Sequence, residues 1–307
     1  MAAANVVVAS RCIKAVRMAP AMVRSLPPAA LLLLALLTPA ISGAQQASDA
    51  DAIRELGQAR SYAMGGAYRA LGLGAEAVLG NPASLALWRT YRIEATGSYD
   101  TAVKDGIGSI AVTDAASSIL AAGFSYHYLS LRPATGRRSG HHTVLGLALP
   151  LSQSVFLGAS TRYLVLRGPD SLNAAAVDAG LLFRVGQALV AGVSAHNLVG
   201  SDTDYLTRYY SAHAGYVAGL FTLATDVRAD FTGERTRWSY GAGLEYILGE
   251  AIPVRVGYGY DTLNRGSELG VGAGIMTEGG GLDLSYKHDF SDRGSRLLAL
   301  TFKVQLQ

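Results

Sequence analysis

Apolar and polar positions alternate along the chain from Tyr91 to the C-terminus. The last segment carries the pattern most clearly. Leu298, Leu300, Phe302, Val304 and Leu306 fall on one side, and Ala299, Thr301, Lys303 and Gln305 on the other. Successive side chains of a strand point to opposite faces, so this spacing predicts a strand with one oily and one wet face. The same holds upstream, where Leu282, Leu284, Tyr286 and Phe290 oppose Asp283, Ser285, Lys287 and Asp289. Strands are expected near 91–99, 107–114, 119–131, 142–151, 155–166, 175–186, 189–197, 208–218, 220–231, 236–248, 252–261, 267–277, 281–290 and 296–306. Segments of this length exceed the usual globular strand of about 5–6 residues and match a tilted crossing of a bilayer. Gly, Ser and Ala dominate the wet rows, as a narrow lumen requires, and aromatic residues cluster near the ends of the oily rows.

The connections alternate in length. Ser152-Gln153-Ser154, Gly186-Gln187-Ala188, Ala218-Gly219, Gly249-Glu250-Ala251 and Glu278-Gly279-Gly280 are short; 100–106, 132–141, 167–174, 198–207, 232–235, 262–266 and 291–295 are longer. Short turns on one side of a membrane and longer loops on the other characterise transmembrane barrels. The expected fold is therefore all-β: a transmembrane antiparallel up-and-down β-barrel of about 14 strands, with 12 and 16 as the neighbouring even counts. An even count puts both barrel ends on the short-turn side, expected to be periplasmic. A secreted β-sandwich would need shorter strands.

Residues 1–44 read differently. Arg11, Lys14, Arg17 and Arg24 precede the run Ala29–Leu37, and Ser42-Gly43-Ala44 follows; this is the form of a cleaved signal peptide. Removing it lowers the basic residues from 26 to 22 against 23 acidic ones, a net charge of −1. A nucleic-acid partner then loses its electrostatic basis. Cys12, the single cysteine, leaves with the leader, so the mature chain has neither disulfide nor thiol chemistry. Residues 45–90 do not alternate. Gly- and Ala-rich, with a helix-prone stretch from Ala52 to Ala59 and a turn-forming Asn81-Pro82, they are expected to be a plug ahead of the 91–307 barrel.

Within the plug, Arg60, Met64-Gly65-Gly66-Ala67 and Asn81-Pro82-Ala83 resemble the N-terminal signature of FadL-like outer-membrane proteins, most closely the PorV/PorQ branch. The match spans 59–86 and departs in having one acid, Glu76, between its halves and Ser84 after the Asn-Pro-Ala triplet. The resemblance implies a 14-stranded barrel with an N-terminal hatch in the outer membrane of a Gram-negative-type bacterium. For the PorV/PorQ branch it implies a non-enzymatic component of protein secretion or surface attachment. For FadL-like proteins it implies passage of hydrophobic small molecules. The short outer loops and modest size favour the secretion reading, with the transporter and a structural barrel or narrow pore as alternatives. Expected partners are outer-membrane lipid and lipopolysaccharide, together with secretion-system components or a hydrophobic ligand.

No residue pattern calls for catalysis, a cofactor or a metal. His141-His142 beside Arg137 and Arg138 is expected in a solvated outer loop, and Ser125 with His127 lacks an orienting acid. The wet rows carry charges of both signs. Asp226, Arg228, Asp230, Arg237, Glu245, Arg255, Asp283 and Lys287 are expected to form a lumen network that locks the plug, because buried charges need partners.

Overall fold

The computed structural model describes residues 49–133, 136–200, 203–231, 236–262, 266–291 and 294–306. The expected signal peptide lies outside the described residues. Fourteen strands follow in chain order: β1 (Tyr91–Asp100), β2 (Gly106–Asp114), β3 (Ala121–Leu131), β4 (Arg138–Pro150), β5 (Val155–Arg167), β6 (Leu172–Val185), β7 (Leu189–Gly200), β8 (Tyr209–Ala218), β9 (Phe221–Asp230), β10 (Arg237–Leu248), β11 (Ile252–Asp261), β12 (Gly266–Thr277), β13 (Gly280–Asp289) and β14 (Arg296–Leu306). Each pairs antiparallel with its chain neighbours. β1 closes on β14 with Tyr91 opposite Leu306 and Asp100 opposite Leu297. Closure satisfies every ladder without an edge, which is what lets strands cross hydrocarbon.

Parity decides the two faces. Leu298, Leu300 and Phe302 of β14 and Trp238, Tyr240 and Leu244 of β10 stay exposed on the outer wall. Ala299, Thr301 and Glu245 on the same strands are buried in the lumen. An apolar, aromatic exterior on a closed antiparallel barrel is a membrane-facing surface, and the protein is a transmembrane up-and-down barrel with a short N-terminal plug.

Three differences from the sequence reading have simple causes. His141 and His142 lie inside β4, not in a loop, because β4 starts at Arg138; His141 faces outward and His142 is fully buried in the lumen. β6 likewise starts at Leu172. The strands β4–β6, of 13, 13 and 14 residues, rise beyond the about 9–11 that a bilayer requires, so ladder pairing carries polar residues into the sheet. Third, the first helix is Asp49–Arg54, earlier than the expected stretch.

That helix (α1), α2 (Ala59–Ala63), α3 (Ala75–Leu79) and a 3-10 turn (Pro82–Ala86) form the plug. Helices this short are unstable alone, so the barrel wall must hold them. It does: Ala59, Ala63, Met64, Ala67, Val78, Asn81 and Ala83 have no accessible surface. The hydrophobic core of the molecule is thus inside the lumen.

Candidate functional site: a plugged lumen

Two seats on the wall receive the plug. The first is a saddle of inward-facing glycines on β10, β11 and β12. A Cβ on Gly243 would stand 2.6 Å from the Met64 carbonyl oxygen, and one on Gly241 2.6 Å from that of Gly65. On Gly257 it would overlap the Met64 carbonyl carbon and the Gly65 nitrogen, and on Gly270 the Tyr62 oxygen. The plug returns the fit. Gly65 and Gly66 have φ of 62° and 77°, and a Cβ on Gly65 would stand 2.5 Å from the Tyr258 nitrogen. Backbone therefore lies on backbone across the saddle, and only glycine permits that approach. The glycines of the wet rows shape this seat.

The second seat holds Asn81-Pro82-Ala83 against β5–β8. Asn81 Oδ1 accepts from the Ala83 amide at 3.0 Å, which caps the 3-10 turn, and Pro82 fits its first position. Asn81 Nδ2 lies 2.7 Å from His213 Nε2. A Cβ on Gly158 would overlap Ala83 and Pro82 backbone, and one on Gly180 the Asn81 side chain. The motif's side chains are spent on seating the plug.

Ion pairs fasten the seats. Arg60 donates to Glu76 at 2.9 Å and to Glu245 at 3.2 Å, and so ties plug to plug and plug to wall. Glu245 also accepts from Arg255, which donates to Asp283 at 2.9 Å; Lys303 donates to Asp283 from β14. Asp226 of β9 accepts from the Tyr68 and Arg69 amides at 2.9 and 3.2 Å and from the Arg69 guanidinium at 3.2 Å. Arg228 pairs with Glu55 at 2.5 Å. Arg237 holds Asp51 at 3.0 Å and Asp261 at 2.5 Å, and Arg54 lies 3.8 Å from Asp230. Lys287 donates to Glu268 at 2.9 Å. Each of the eight named lumen charges thus faces inward, and six of them reach the plug, Lys287 through the Tyr62 ring at 5.7 Å from its centroid. Asp283 and Arg255 extend the network along the wall.

Burial opposes ionisation of Glu55, yet Arg228 and Lys287 hold its carboxyl well below the usual carboxylate range. Burial pushes Glu76 up against the pull of Arg60, and Glu76 Oε1 has no hydrogen-bond partner among the described residues. Burial also raises the Tyr68 hydroxyl to about 12, outweighing nearby Arg69. An unfolded tyrosine ionises near pH 10. The docked plug therefore favours the neutral phenol: this contribution is complete below pH 10 and is lost as pH rises towards 12. Two units correspond to about 3 kcal/mol. Protease cleavage of the plug is expected to rise steeply across that window, and Tyr68→Phe is expected to move the rise to higher pH.

Towards the long-loop end, the lumen has two characters. On one side a cavity of about 130 Å³ is lined by Glu55, Tyr62, Gly65, Arg69, Arg228 and Lys287, among others. On the other side lies an apolar strip: Leu129 and Leu131 of β3, Leu164 and Leu166 of β5, and Ala174 and Ala176 of β6. Ile53 of α1 and Leu56 just after it cover that strip, with Leu206 from the β7–β8 loop. Asp51, Arg54 and Glu55 of the same segment face the charged side. This short amphipathic piece covers the strip at the long-loop end of the lumen.

Sequence reasoning did not find Arg162, Asp178, Ser194 and His196 as a group. Asp178 accepts from Arg162 at 2.5 Å and Ser160 at 2.8 Å and lies 3.5 Å from His196 Nδ1; Ser194 Oγ is 2.9 Å from His196 Nε2. These are the residue types of a nucleophilic triad. All four are buried, Arg162 donates to the Leu79 carbonyl at 2.7 Å, and Ser194 Oγ lies 3.4 Å from the Gly80 carbonyl. Plug backbone occupies the space an attacked carbonyl would need, so the group acts as a third fastening of plug to wall. Ser125 and His127, 2.7 Å apart, are likewise buried. Strand parity places Arg162, Asp178, Ser194 and His196 in the lumen; their convergence depends on strand register. Among the described residues no group of three or more His, Cys, Asp or Glu could hold a metal ion.

No family model matches the chain, and no curated protein matches it. Solved structures share its fold. The toluene transporter TbuX of Ralstonia pickettii superposes with a TM-score of 0.61 at 12% identity, over 81% of this chain and 98% of that one. The toluene transporter TodX of Pseudomonas putida gives 0.59 at 10%, over 81% and 96%. A FadL homologue of Pseudomonas aeruginosa gives 0.55 at 12%, over 81% and 97%. The chain shares the barrel fold of these proteins.

Proposed function

We propose that the protein passes small hydrophobic compounds through a bacterial outer membrane, with the short-turn end in the periplasm and α1 as the movable cover. The apolar strip Leu129–Leu131–Leu164–Leu166 inside an otherwise polar lumen carries this reading. A pore for ions or sugars has no use for it, whereas an apolar solute gains by leaving water for it. Ile53 and Leu56 now fill the place such a solute would take. Two of the barrels that share the fold are described as toluene transporters, and toluene is the kind of small apolar solute such a strip would take.

Proteoliposomes or cells carrying the protein are expected to take up toluene in a saturable way and to show little uptake of long-chain fatty acid. Leu164→Asp places a charge on the strip and is expected to abolish most of that uptake while the barrel still folds. Toluene uptake equal to that of membranes without the protein would overturn the reading. Partnership in protein secretion, the second reading, draws support from the Arg60–Ala83 motif. Co-purification of secretion components from native membranes, in place of uptake, would put it first.

A further inference from the structure

Nearly every arginine inside the lumen is paired with a carboxylate: Arg60, Arg69, Arg92, Arg162, Arg228, Arg237 and Arg255 all are. Several outside it are not, and three of these cluster at the ends of β3, β4 and β5. Arg132 follows β3, Arg137 precedes β4 and Arg167 ends β5, all at the long-loop end and all exposed. Among the described residues no carboxylate forms an ion pair with any of the three; Arg167 donates to the Leu166 carbonyl and to Asn173 Oδ1.

Register places them above an aromatic field. Ser139 is opposite Ser130 on one side and Arg167 on the other. The next outward row is Tyr128, His141 and Val165, and the row below it Tyr126, Thr143 and Tyr163. Tyr126 Oη lies 2.7 Å from His141 Nδ1, and Tyr128 and Tyr163 are about half exposed, at 42% and 49%. Neighbouring strands are about 4.8 Å apart, so three strand ends bring the three guanidinium stems within about 10 Å. At the opposite end β4 and β5 are joined by Leu151-Ser152-Gln153-Ser154, which has no charge. The arrangement is therefore specific to one leaflet.

Tyrosines at this depth mark the boundary of the acyl region, and unpaired arginines just beyond it stand at headgroup height. Guanidinium forks match phosphate oxygens in pairs. Three of them over one lipid-sized area exceed what a single zwitterionic headgroup neutralises. We propose that this outward patch of β3–β5 binds a bisphosphorylated acyl glycolipid of the lipopolysaccharide type, with the phosphates on Arg132, Arg137 and Arg167 and the sugar–acyl boundary on Tyr128 and Tyr163. The inference rests on the transmembrane barrel and is independent of the cargo.

Native mass spectrometry of the detergent-solubilised full barrel tests it, with bisphosphorylated lipid A, its monophosphoryl form and phosphatidylethanolamine as probes. Each basic residue at an anionic surface contributes roughly fivefold to binding, so the triple variant Arg132→Gln/Arg137→Gln/Arg167→Gln is expected to bind lipid A roughly a hundredfold more weakly. Arg89→Gln, at the other end, is expected to bind as the parent does. Affinity is expected to fall from lipid A through its monophosphoryl form to phosphatidylethanolamine. Heat-modifiable mobility of each variant checks that the barrel is intact. Unchanged binding by the folded triple variant would overturn the proposal, as would equal binding of phosphatidylethanolamine. Complete displacement by inorganic phosphate at millimolar concentration would also overturn it, in favour of a soluble-anion site.

Discussion

Gly257→Val is expected to unseat the plug while leaving the barrel folded. The added Cβ would fall on the Met64 carbonyl carbon and Gly65 nitrogen, and these are backbone atoms that no rotamer change can move. Overpacking of this kind costs about 1–3 kcal/mol even where side chains can adjust. Here the relief available is withdrawal of Met64-Gly65-Gly66 from the saddle. Planar-bilayer recordings should show a large rise in conductance over the parent, and limited proteolysis should cut the plug between α2 and α3. Gly97 is the control: it lies on the outer wall and a Cβ there meets nothing within 4 Å, so Gly97→Val should behave as the parent. A closed, protease-resistant Gly257→Val protein would show that the saddle does not hold the plug.

The second large effect is expected at Arg60. Arg60→Met leaves Glu76, whose side chain is 2% exposed, without its ion-pair partner, while Glu245 retains Arg255. Removing one partner of a buried pair costs about 3–5 kcal/mol, so plug docking should weaken by roughly two to four orders of magnitude. The double variant Arg60→Met/Glu76→Gln removes the stranded charge and should recover much of the loss. Protease susceptibility as a function of urea reads both. Equal susceptibility of parent and Arg60→Met would mean that glycine packing alone holds the plug.

These two effects bear on how a sealed barrel could conduct. The saddle and the Asn81 turn close the middle and the short-turn half of the lumen with backbone contacts and buried ion pairs. The α1 segment covers the long-loop end with two apolar side chains and with charge pairs that are partly exposed, such as Glu55 with Arg228. Its closure is the weaker one, so opening is expected to begin there. A solute that replaces Ile53 and Leu56 on the strip would leave their apolar contact satisfied and the segment free to lift.

Alternation over 91–306 carried most of the fold. Period-two patterning works well for a membrane barrel because both faces are under strong constraint: hydrocarbon outside and a packed, polar lumen inside. The pattern misled at His141-His142, where two polar residues in succession looked like a loop. Parity in fact continues through them, with His141 outward and His142 inward. The plug motif was legible as a tight, small-residue segment, but its partners were not. Gly241, Gly243, Gly257 and Gly270 are four glycines among many until the barrel closes and brings three strands under one stretch of backbone.

By itself, then, the sequence determined the strands, their inward and outward faces and the existence of a non-alternating segment ahead of them, because these depend on local periodicity and on the polarity of the surroundings. Tertiary structure decided which charges meet, where the glycines form a seat, that an apolar strip survives within the lumen and that α1 covers it. Each of those depends on strand register and on the path of the plug, and register joins residues more than a hundred positions apart, such as Arg60 and Glu245, that no local pattern relates.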